Sequence, residues 1–286
     1  MKDCHIHWMP LIGPADPPEV FLKKAAEGGV DGGSIMSMPP ASFRPDPEHS
    51  QHWAERLEKI LEYTSHTPGF YPFFWIDPTE KDASLQIETA VESGISGFKC
   101  ICNHFYPEEC MKEFSQIAES GLPIHFHTGI LFDHHVSSSY VQPIAYECLL
   151  KIRKIRFALA HLGNPWVDET VLLYAKFQAS MRNVPGERSF RVFLDLTPGV
   201  SRIRRRDALR MLLAGYADPS MDILWGTDNR INDYDSGSAR FWSQFDRKIM
   251  EEILEEVRID PDSFPAIPEN LWERITQINY REFLGK

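Results

Sequence analysis

Two His-x-His pairs stand in short apolar segments of this sequence. The first consists of His5 and His7 in the segment DCHIH, and the second consists of His125 and His127 in the segment PIHFHTG. Because side chains alternate between the two faces of a strand, each pair would lie on one face, close enough to bind one metal ion. In the first segment, Asp3 would share that face. A single pair is equally consistent with two partly exposed polar residues at the end of a strand.

Two further ionisable residues follow the same arrangement. His161 stands in AHLG and Asp228 ends LWGTD, each at the C-terminal end of an apolar segment. Any one of the histidines could be a hydrogen-bonded histidine of the core. Packing gives no reason, however, for all of them to stand at the same end of their strands. The set therefore favours a metal site or an acid–base site.

These residues stand in four of eight apolar segments of strand length. The eight segments are residues 2–9, 32–38, 70–76, 95–102, 123–127, 156–162, 191–196 and 223–227. Segments with helical periodicity alternate with them, at residues 17–28, 52–63, 85–92, 108–118, 144–152, 169–181 and 207–214. This alternation predicts parallel β-α units, and eight strands close a barrel that its own side chains can fill.

We therefore predict one domain over residues 1–286, a (β/α)8 TIM barrel of the α/β class with additional C-terminal helices at 241–257 and 268–283. The alternative is an open, doubly wound sheet, but no G-x-G-x-x-G motif follows the first strand. Active sites of (β/α)8 barrels lie at the C-terminal ends of the strands. The histidines and Asp228 would thus converge on one site.

The composition restricts the partners of this site. The chain carries a net charge of -11 and has a pI near 5.5, which argues against broad binding to nucleic acids or anionic membranes, since both need clustered cations. No apolar run approaches the ~20 residues of a membrane span, and the N-terminus lacks the pattern of a signal peptide. We therefore expect a cytoplasmic protein. The five cysteines suggest no disulfide framework, and Cys100 and Cys102 are expected to pack on one strand face against a helix.

Taken together, the motifs resemble the amidohydrolase superfamily of metal-dependent (β/α)8 barrels. The similarity is closest to the amidohydrolase-related branch, which includes decarboxylases, hydratases and lactone hydrolases. The matching pieces are D-x-H-x-H at 3–7, P-x-x-x-H-T-G at 123–129, A-H-L-G at 160–163 and L-W-G-T-D at 224–228, while INYREFL at 278–284 resembles the family's final helix. They span almost the whole chain in the expected order.

The resemblance implies that His5, His7 and His127 are metal ligands. Asp228 would bind the metal and act as the base toward a metal-activated water, and His161 would polarise the substrate or shuttle a proton. Three neutral imidazoles and one carboxylate suit one divalent ion, Zn²⁺ or else Mn²⁺ or Fe²⁺. Such an ion lowers the pKa of a bound water toward ~7.

Lys99, in the fourth apolar segment, leaves the number of metals open. Dinuclear members of the superfamily carry a carboxylated lysine there, which bridges two metals. We favour a single metal, with Lys99 holding a carboxylate or another oxygen of the substrate. His125 is expected to line the pocket, or else to support or replace a ligand.

Substrate binding is expected to involve cations and one aromatic ring. Five arginines between Arg202 and Arg210 follow the seventh strand, and most of them suit a solvated helix face. Arg202 lies nearest to the strand end and could pair with a carboxylate or a phosphate. Family members often carry an aromatic residue and a proline where this chain has Asn229 and Arg230, which makes Arg230 a second candidate for binding an anion. Trp8 directly follows the first histidine pair and could reach the pocket.

Three functions are compatible with these residues. The first is a metal-dependent hydrolase acting on a small organic acid, lactone, ester or amide. The second is a metal-dependent lyase, either a non-oxidative decarboxylase or a hydratase, with the same ligands. The third, a metal-free binding protein, is disfavoured by the complete ligand set. We expect a small anionic molecule as the partner, and the family suggests a homo-oligomer.

Overall fold

The eight predicted strands are present, and all of them run parallel. The computed structural model describes residues 1–43, 52–133, 135–183, 190–214, 220–259 and 267–286. The strands are β1 (Lys2–His7), β2 (Gly32–Met36), β3 (Phe70–Ile76), β4 (Gly97–Cys100), β5 (Ile124–Phe126), β6 (Arg156–Leu159), β7 (Arg191–Asp195) and β8 (Ile223–Leu224). Each strand pairs with the next one along the chain. Most of them end earlier than predicted, because the last residues of the apolar segments already belong to the loops.

A short ninth strand, β9 (Asn229–Arg230), pairs in parallel with the free side of β1. The Cys4 amide donates a hydrogen bond to the Trp225 carbonyl (3.0 Å), and the Asp228 amide donates one to the His5 carbonyl (3.1 Å). The segment that continues β8 therefore lies along β1, and the sheet closes. This arrangement confirms the predicted (β/α)8 TIM barrel.

Helices cover the outside of the barrel. They are α1 (Pro18–Glu27), α2 (Trp53–Ser65), α3 (Ala83–Glu92), α4 (Met111–Ser120), α5 (Val167–Asn183), α6 (Arg202–Ala214) and α7 (Ser236–Ile259). None of the helices in the described part of the chain is long and apolar enough to cross a membrane.

The connection between β5 and β6 differs from the prediction. Pro143–Lys151 forms a 3-10 helix rather than an α-helix. The Ile144 amide donates a hydrogen bond to Glu169 (2.6 Å), and the Tyr146 hydroxyl donates one to the His127 carbonyl (2.8 Å). Contacts with α5 and with the end of β5 thus fix this segment, and they override its helical periodicity.

The last helical segment of the chain packs against the N-terminal ends of the strands. The predicted helix at 268–283 is divided into α8 (Leu271–Glu273), a π-helical turn (Arg274–Ile278) and α9 (Asn279–Leu284). The Asn279 side chain donates hydrogen bonds to the carbonyls of Ser220 (2.9 Å) and Ile223 (2.8 Å). This contact holds α9 at the start of β8, the end of the barrel opposite to the predicted site.

The apolar core has two layers. The inner layer fills the barrel with Cys4, Met36, Phe73, Ala158, Phe193 and Leu224, and Tyr280, Phe283 and Leu284 of α9 close it. A larger cluster fills the space between the sheet and the surrounding helices. Cys100 and Cys102 lie in this outer layer with their Sγ atoms 3.9 Å apart, as predicted.

The side-chain alternation along β1 differs from the prediction. The register between β1 and β2 shifts between Asp3 and Ile6. Cys4 thereby enters the inner layer. The Asp3 carboxylate instead accepts hydrogen bonds from Thr227 Oγ1 (2.6 Å) and from the hydroxyl of Tyr234 (3.0 Å), whose ring packs in the outer layer. The prediction that Asp3 shares the face of the first histidine pair is therefore wrong, because an irregularity in the pairing changes which side chains point inward.

One arginine of the cluster after the seventh strand is buried in an ion pair. Arg205 on α6 donates hydrogen bonds to both carboxylate oxygens of Asp246 on α7 (2.8 and 2.7 Å) and to the Leu196 carbonyl (2.5 Å). Both side chains are almost completely buried. The pair thus joins α6 and α7 to the end of β7. By contrast, Arg206 pairs with Glu252 at the surface.

We expect Asp246→Ala to lower the free energy of unfolding by about 3–5 kcal/mol, because the guanidinium of Arg205 would stay buried without a counter-charge. Glu252→Ala, which removes a carboxylate from the exposed pair with Arg206, should cost about 1 kcal/mol or less. Urea unfolding followed by circular dichroism measures both values. Equal losses in the two variants would contradict the role assigned to the buried pair.

Candidate metal centre

Three potential ligand atoms from β1 and from the segment after β8 face one another. The Nε2 atoms of His5 and His7 are 3.0 Å apart, and Oδ1 of Asp228 lies 3.7 Å and 3.3 Å from them. The His5 side chain is fully buried, whereas 43% of the Asp228 side chain is exposed. The group is therefore buried on the β1 side and open on the Asp228 side.

His161 and His127 lie next to this group. The His161 ring is centred 5.1 Å from the His5 ring and 4.9 Å from the His127 ring. Ligand atoms of His5, His161 and Asp228 all lie within 4.8 Å of one another. Nε2 of His127 lies 3.2 Å from the Gly129 carbonyl, to which it can donate a hydrogen bond. The structure thus brings His161 into the group and turns one nitrogen of His127 toward its own loop.

Two residues of the group have a left-handed backbone. The φ angle is 58° at His161 and 60° at Asp228. Residues other than glycine rarely adopt this conformation, which costs about 1–3 kcal/mol at each position. Hydrogen bonds hold both turns, since the Asp228 amide donates to the His5 carbonyl and Thr128 Oγ1 donates to the Ala160 carbonyl (2.6 Å). The chain therefore turns sharply where β6 and the β8 segment end, and both side chains reach the site.

Asp195, at the end of β7, was missed by the sequence analysis. Its Oδ2 lies 2.8 Å from His5 Nδ1 and 3.0 Å from His125 Nε2, and its Oδ1 accepts hydrogen bonds from the amide (2.6 Å) and the hydroxyl (2.5 Å) of Thr197. A signal was present in the sequence, because Asp195 is an ionisable residue near the C-terminal end of the apolar segment 191–196, as His161 is in its own segment.

Asp195 also belongs to a second group, which is completely buried. Ligand atoms of Cys4, His125 and Asp195 lie within 4.8 Å of one another. The carboxylate already faces four hydrogen-bond donors. Since hydrogen bonds satisfy the carboxylate, we interpret this group as a structural one, which holds His5 of the candidate metal site in place.

Burial lowers the pKa of the histidines around the site. Loss of hydration is the largest cause of the lowered pKa of His5, His7 and His127, and the charge of Lys99 adds to it. Burial also lowers the pKa of Lys99 itself to about 8. The imidazoles are therefore neutral at neutral pH, as metal ligands must be.

The two carboxylates of the site, Asp228 and Asp195, have a lowered pKa in spite of their burial. Burial alone would raise the pKa of Asp228 and of Asp195. Hydrogen bonds from His7 to Asp228, and from His125 and His5 to Asp195, outweigh burial, so that the pKa of both carboxyls is lowered. Both residues therefore carry a negative charge at neutral pH.

The donor set fits a divalent cation. Two neutral imidazole nitrogens and one carboxylate oxygen converge on a small volume, and His161 contributes a further nitrogen beside them. Mixed nitrogen and oxygen ligands of this kind suit Zn²⁺, Mn²⁺ or Fe²⁺. Asp195 behind His5 adds the carboxylate that commonly orients a histidine ligand.

A cavity opens beside this group at the C-terminal ends of the strands. It has a volume of about 310 Å³, and polar site residues share its wall with apolar loop residues: Phe43, His127, Thr128, Ile130, Leu131, Phe132, Asp133, His161, Asn164, Pro198, Gly199, Asp228 and Arg230. A smaller space of about 160 Å³ continues it toward His7, Trp75 and Ile101. Arg230 lines both spaces and is exposed.

Three of the predicted substrate-binding residues do not line the cavity. Lys99 is buried, and its Nζ lies 3.2 Å from His5 Nε2. His125 is buried below the site on Asp195, and Trp8 packs on the ring of Tyr63. These residues are absent from the described lining of the two spaces.

Arg202 also lies away from the cavity. Its guanidinium is exposed and stands 5.6 Å from the centre of the Phe241 ring, on the outside of the barrel. The helix α6 begins at this residue, and its first turn points Arg202 toward α7 rather than toward the strand ends. Arg230 is thus the predicted cation that the structure places at the cavity.

Comparisons with known proteins agree with this architecture. The amidohydrolase family model matches residues 3–260. Solved structures similar to this chain include an amidohydrolase II (14% identity, 99% of each chain, TM-score 0.60) and a protein described as a 2-pyrone-4,6-dicarboxylic acid hydrolase from Pseudomonas putida (15% identity, 99% of this chain and 96% of that one, TM-score 0.57). A dihydroorotase from Campylobacter jejuni is similar at 10% identity, over 99% of this chain and 82% of that one, with a TM-score of 0.57. No curated protein matches the chain significantly.

We expect protein purified without added metal to hold about one equivalent of a divalent ion, and His7→Ala to reduce that content by removing a ligand. His66→Ala is the matched control, since this exposed histidine lies between the end of α2 and the start of β3, away from the C-terminal ends of the strands. Elemental analysis of the three proteins measures the content. Unchanged metal in His7→Ala would refute its role as a ligand, and about two equivalents in the wild type would favour a pair of ions bridged at Lys99.

Proposed function

This chain belongs to the amidohydrolase family, and on that premise we propose that it is a metal-dependent hydrolase of a small anionic substrate, such as an organic acid, lactone, ester or amide. The observation that carries the proposal is the group of His5, His7 and Asp228, whose ligand atoms lie within 3.7 Å of one another beside a cavity. The similar structure described as a 2-pyrone-4,6-dicarboxylic acid hydrolase agrees with it.

His5, His7 and Asp228 would hold one divalent ion, with His127 as the fourth ligand that the resemblance implies. When bound, the ion polarises a substrate oxygen and lowers the pKa of water. We favour Zn²⁺ for the mixture of imidazole and carboxylate ligands, with Mn²⁺ or Fe²⁺ as alternatives. Lys99 does not line the cavity, but its Nζ lies 3.2 Å from His5 Nε2, so it would reach a substrate oxygen held close to the ion rather than bridge two ions.

Asp228 would act as the general base. Its carboxyl is ionised at neutral pH, and it is the exposed member of the group, so a water molecule in the cavity can reach it. Oδ2, the carboxylate oxygen that is not assigned to the ion, would accept the proton as this water attacks the substrate. The left-handed backbone at Asp228 holds the carboxylate toward His7 while this happens.

His161 would orient the substrate and return the proton. Its Nδ1 lies 3.2 Å from the Pro198 carbonyl, which can only accept a hydrogen bond, so Nδ1 carries the hydrogen in the neutral ring. Nε2 is then the nitrogen left for the substrate. As His161 lines the cavity beside Asp228, its Nε2 can take up the proton that Asp228 has accepted and pass it to the leaving group.

Arg230 would bind the negative charge of the substrate. It lines both spaces of the cavity, and its guanidinium can form paired hydrogen bonds with a carboxylate. Phe43, Ile130 and Leu131 form an apolar wall near it. A compact substrate with one anionic group and an apolar body suits this combination.

A lyase that removes CO₂ or water is the second candidate. The observation in its favour is the apolar cluster of Phe43, Trp75 and Ile101, which borders the space next to His7 and Asp228. An apolar wall keeps water away from a substrate, and a decarboxylation needs no attacking water. The same ligand atoms would then stabilise the negative charge that develops on the substrate.

A substrate screen distinguishes the two candidates. The metal-loaded protein is assayed with lactones, amides, esters and unsaturated or aromatic acids, with detection of both released acid and CO₂. We expect hydrolysis without CO₂, and Asp228→Asn should lower kcat at least 100-fold because the base is lost. Release of CO₂ as the main reaction would overturn the hydrolase in favour of the lyase.

Arg230→Ala should raise KM for the anionic substrate about 10- to 100-fold, because one charge-assisted contact is lost. The KM of a neutral analogue, such as the corresponding methyl ester or amide, should change little. Arg202→Ala is the matched control, since its guanidinium lies over Phe241 outside the cavity. If both arginine variants behave alike, the anion does not bind at Arg230.

A further inference from the structure

Asp195 stands at the centre of a hydrogen-bond network beneath the metal centre. Its Oδ1 accepts hydrogen bonds from the amide and the hydroxyl of Thr197, while Oδ2 faces Nδ1 of His5 (2.8 Å) and Nε2 of His125 (3.0 Å). Asp195, His5 and His125 are completely buried. Water therefore does not compete for these contacts.

The network determines which nitrogen of each imidazole carries the hydrogen. An ionised carboxylate only accepts hydrogen bonds, so Nδ1 of His5 and Nε2 of His125 must be the protonated nitrogens of their neutral rings. A second contact gives the same answer for His5. The ammonium group of Lys99 only donates, and it lies 3.2 Å from His5 Nε2, which must then offer a lone pair.

We propose that Asp195 is a positioning residue of the metal centre, which fixes His5 in the Nδ1–H tautomer so that Nε2 presents its lone pair to the metal. The inference rests on the proposed function, because it requires that Nε2 of His5 binds the metal. A carboxylate behind a histidine ligand also raises the basicity of the nitrogen that faces the metal. Asp195 would thus act on the metal through His5 without touching it.

His125 supports the same carboxylate. Within the described part of the chain, its Nδ1 is buried without a hydrogen-bond partner, so Asp195 receives the one hydrogen bond that the ring makes there. The ring packs against His5 at a centroid distance of 4.7 Å and against Phe283 at 6.0 Å. We therefore assign His125 to holding Asp195 in place, below the residues that contact the substrate.

Asp195→Asn changes the tautomer with almost no change in shape. The fixed amide of Thr197 still requires an acceptor, which places the carboxamide oxygen at the Oδ1 position and the NH₂ group at the Oδ2 position. His5 Nδ1 then faces a donor at the shorter of its two contacts (2.8 Å, against 3.2 Å from Nε2 to Lys99), and we expect this contact to drive the ring to the Nε2–H tautomer against the ammonium group. A protonated Nε2 offers no lone pair to a metal.

The test measures tautomers and metal affinity. Two-bond ¹H–¹⁵N spectra of the metal-free protein report which nitrogen of each imidazole is protonated, and titration with Zn²⁺ against a competing chelator gives the affinity. We expect Nδ1–H for His5 and Nε2–H for His125 in the wild type. In Asp195→Asn, His5 should switch to Nε2–H, and the affinity for Zn²⁺ should fall about 10- to 100-fold.

Asp222→Asn is the matched control. This carboxylate is also buried and accepts hydrogen bonds from Tyr174 (2.6 Å), Gln178 (3.3 Å) and Arg191 (2.5 Å), but it precedes β8 at the opposite end of the barrel. The variant Asp222→Asn should leave the tautomer of His5 and the affinity for Zn²⁺ unchanged. If Asp222→Asn lost as much affinity for Zn²⁺ as Asp195→Asn, the loss in both variants would reflect reduced stability, and the proposal would be overturned.

The outcomes separate this inference from the proposed function. A wild type without affinity for divalent ions would defeat the proposed function, whereas the spectra of the metal-free protein still decide the tautomer of His5. Finding the Nε2–H form of His5 in the wild type overturns the inference, as does an Asp195→Asn variant that binds Zn²⁺ as tightly as the wild type. If circular dichroism shows that Asp195→Asn is unfolded, the wild-type spectra alone provide the test.

Discussion

Backbone hydrogen bonds between β1 and the segment after β8 hold the two ends of the barrel together. Two of them run from the Cys4 amide to Trp225 and from the Asp228 amide to His5. The second bond is made by a ligand candidate at each end, so the contact that closes the sheet also sets the distance between the imidazole and the carboxylate. Any change that opened the barrel at this seam would separate His5 and His7 from Asp228.

The positions of the candidate ligands could be predicted because they depend on the order of strands. The predicted ligands His5, His7, His127 and Asp228, together with His161, stand at or near the C-terminal ends of apolar segments. Parallel strands bring these ends to one face of a barrel. Such reasoning needs only the length and the alternation of the segments. It does not need the detailed geometry of any loop.

The remaining features depend on local geometry that a sequence pattern does not contain. The shifted register on β1 exchanged the surroundings of Asp3 and Cys4, although the residues alternate regularly in the sequence. Arg202 was favoured for its short distance in sequence from the end of β7, but the direction of α6 decides where its guanidinium lies. Asp195 was missed because motif comparison looked for ligands, whereas its partners are the ligand His5 and the buried His125.

The strand ends and the loops contribute differently to the cavity. The deeper side is fixed by Asp195, which accepts four hydrogen bonds, and by the left-handed turns at His161 and Asp228. Fixed ligands need no rearrangement when charge develops in a reaction, and this preorganisation is the main source of electrostatic catalysis. The outer side is built from loop residues such as Phe43, Leu131 and Arg230. Changes in these loops can therefore alter which substrate is bound, while the chemistry of the strand ends persists. For binding an anionic substrate, the net charge of -11 over the whole chain then matters less than Arg230 at the cavity wall.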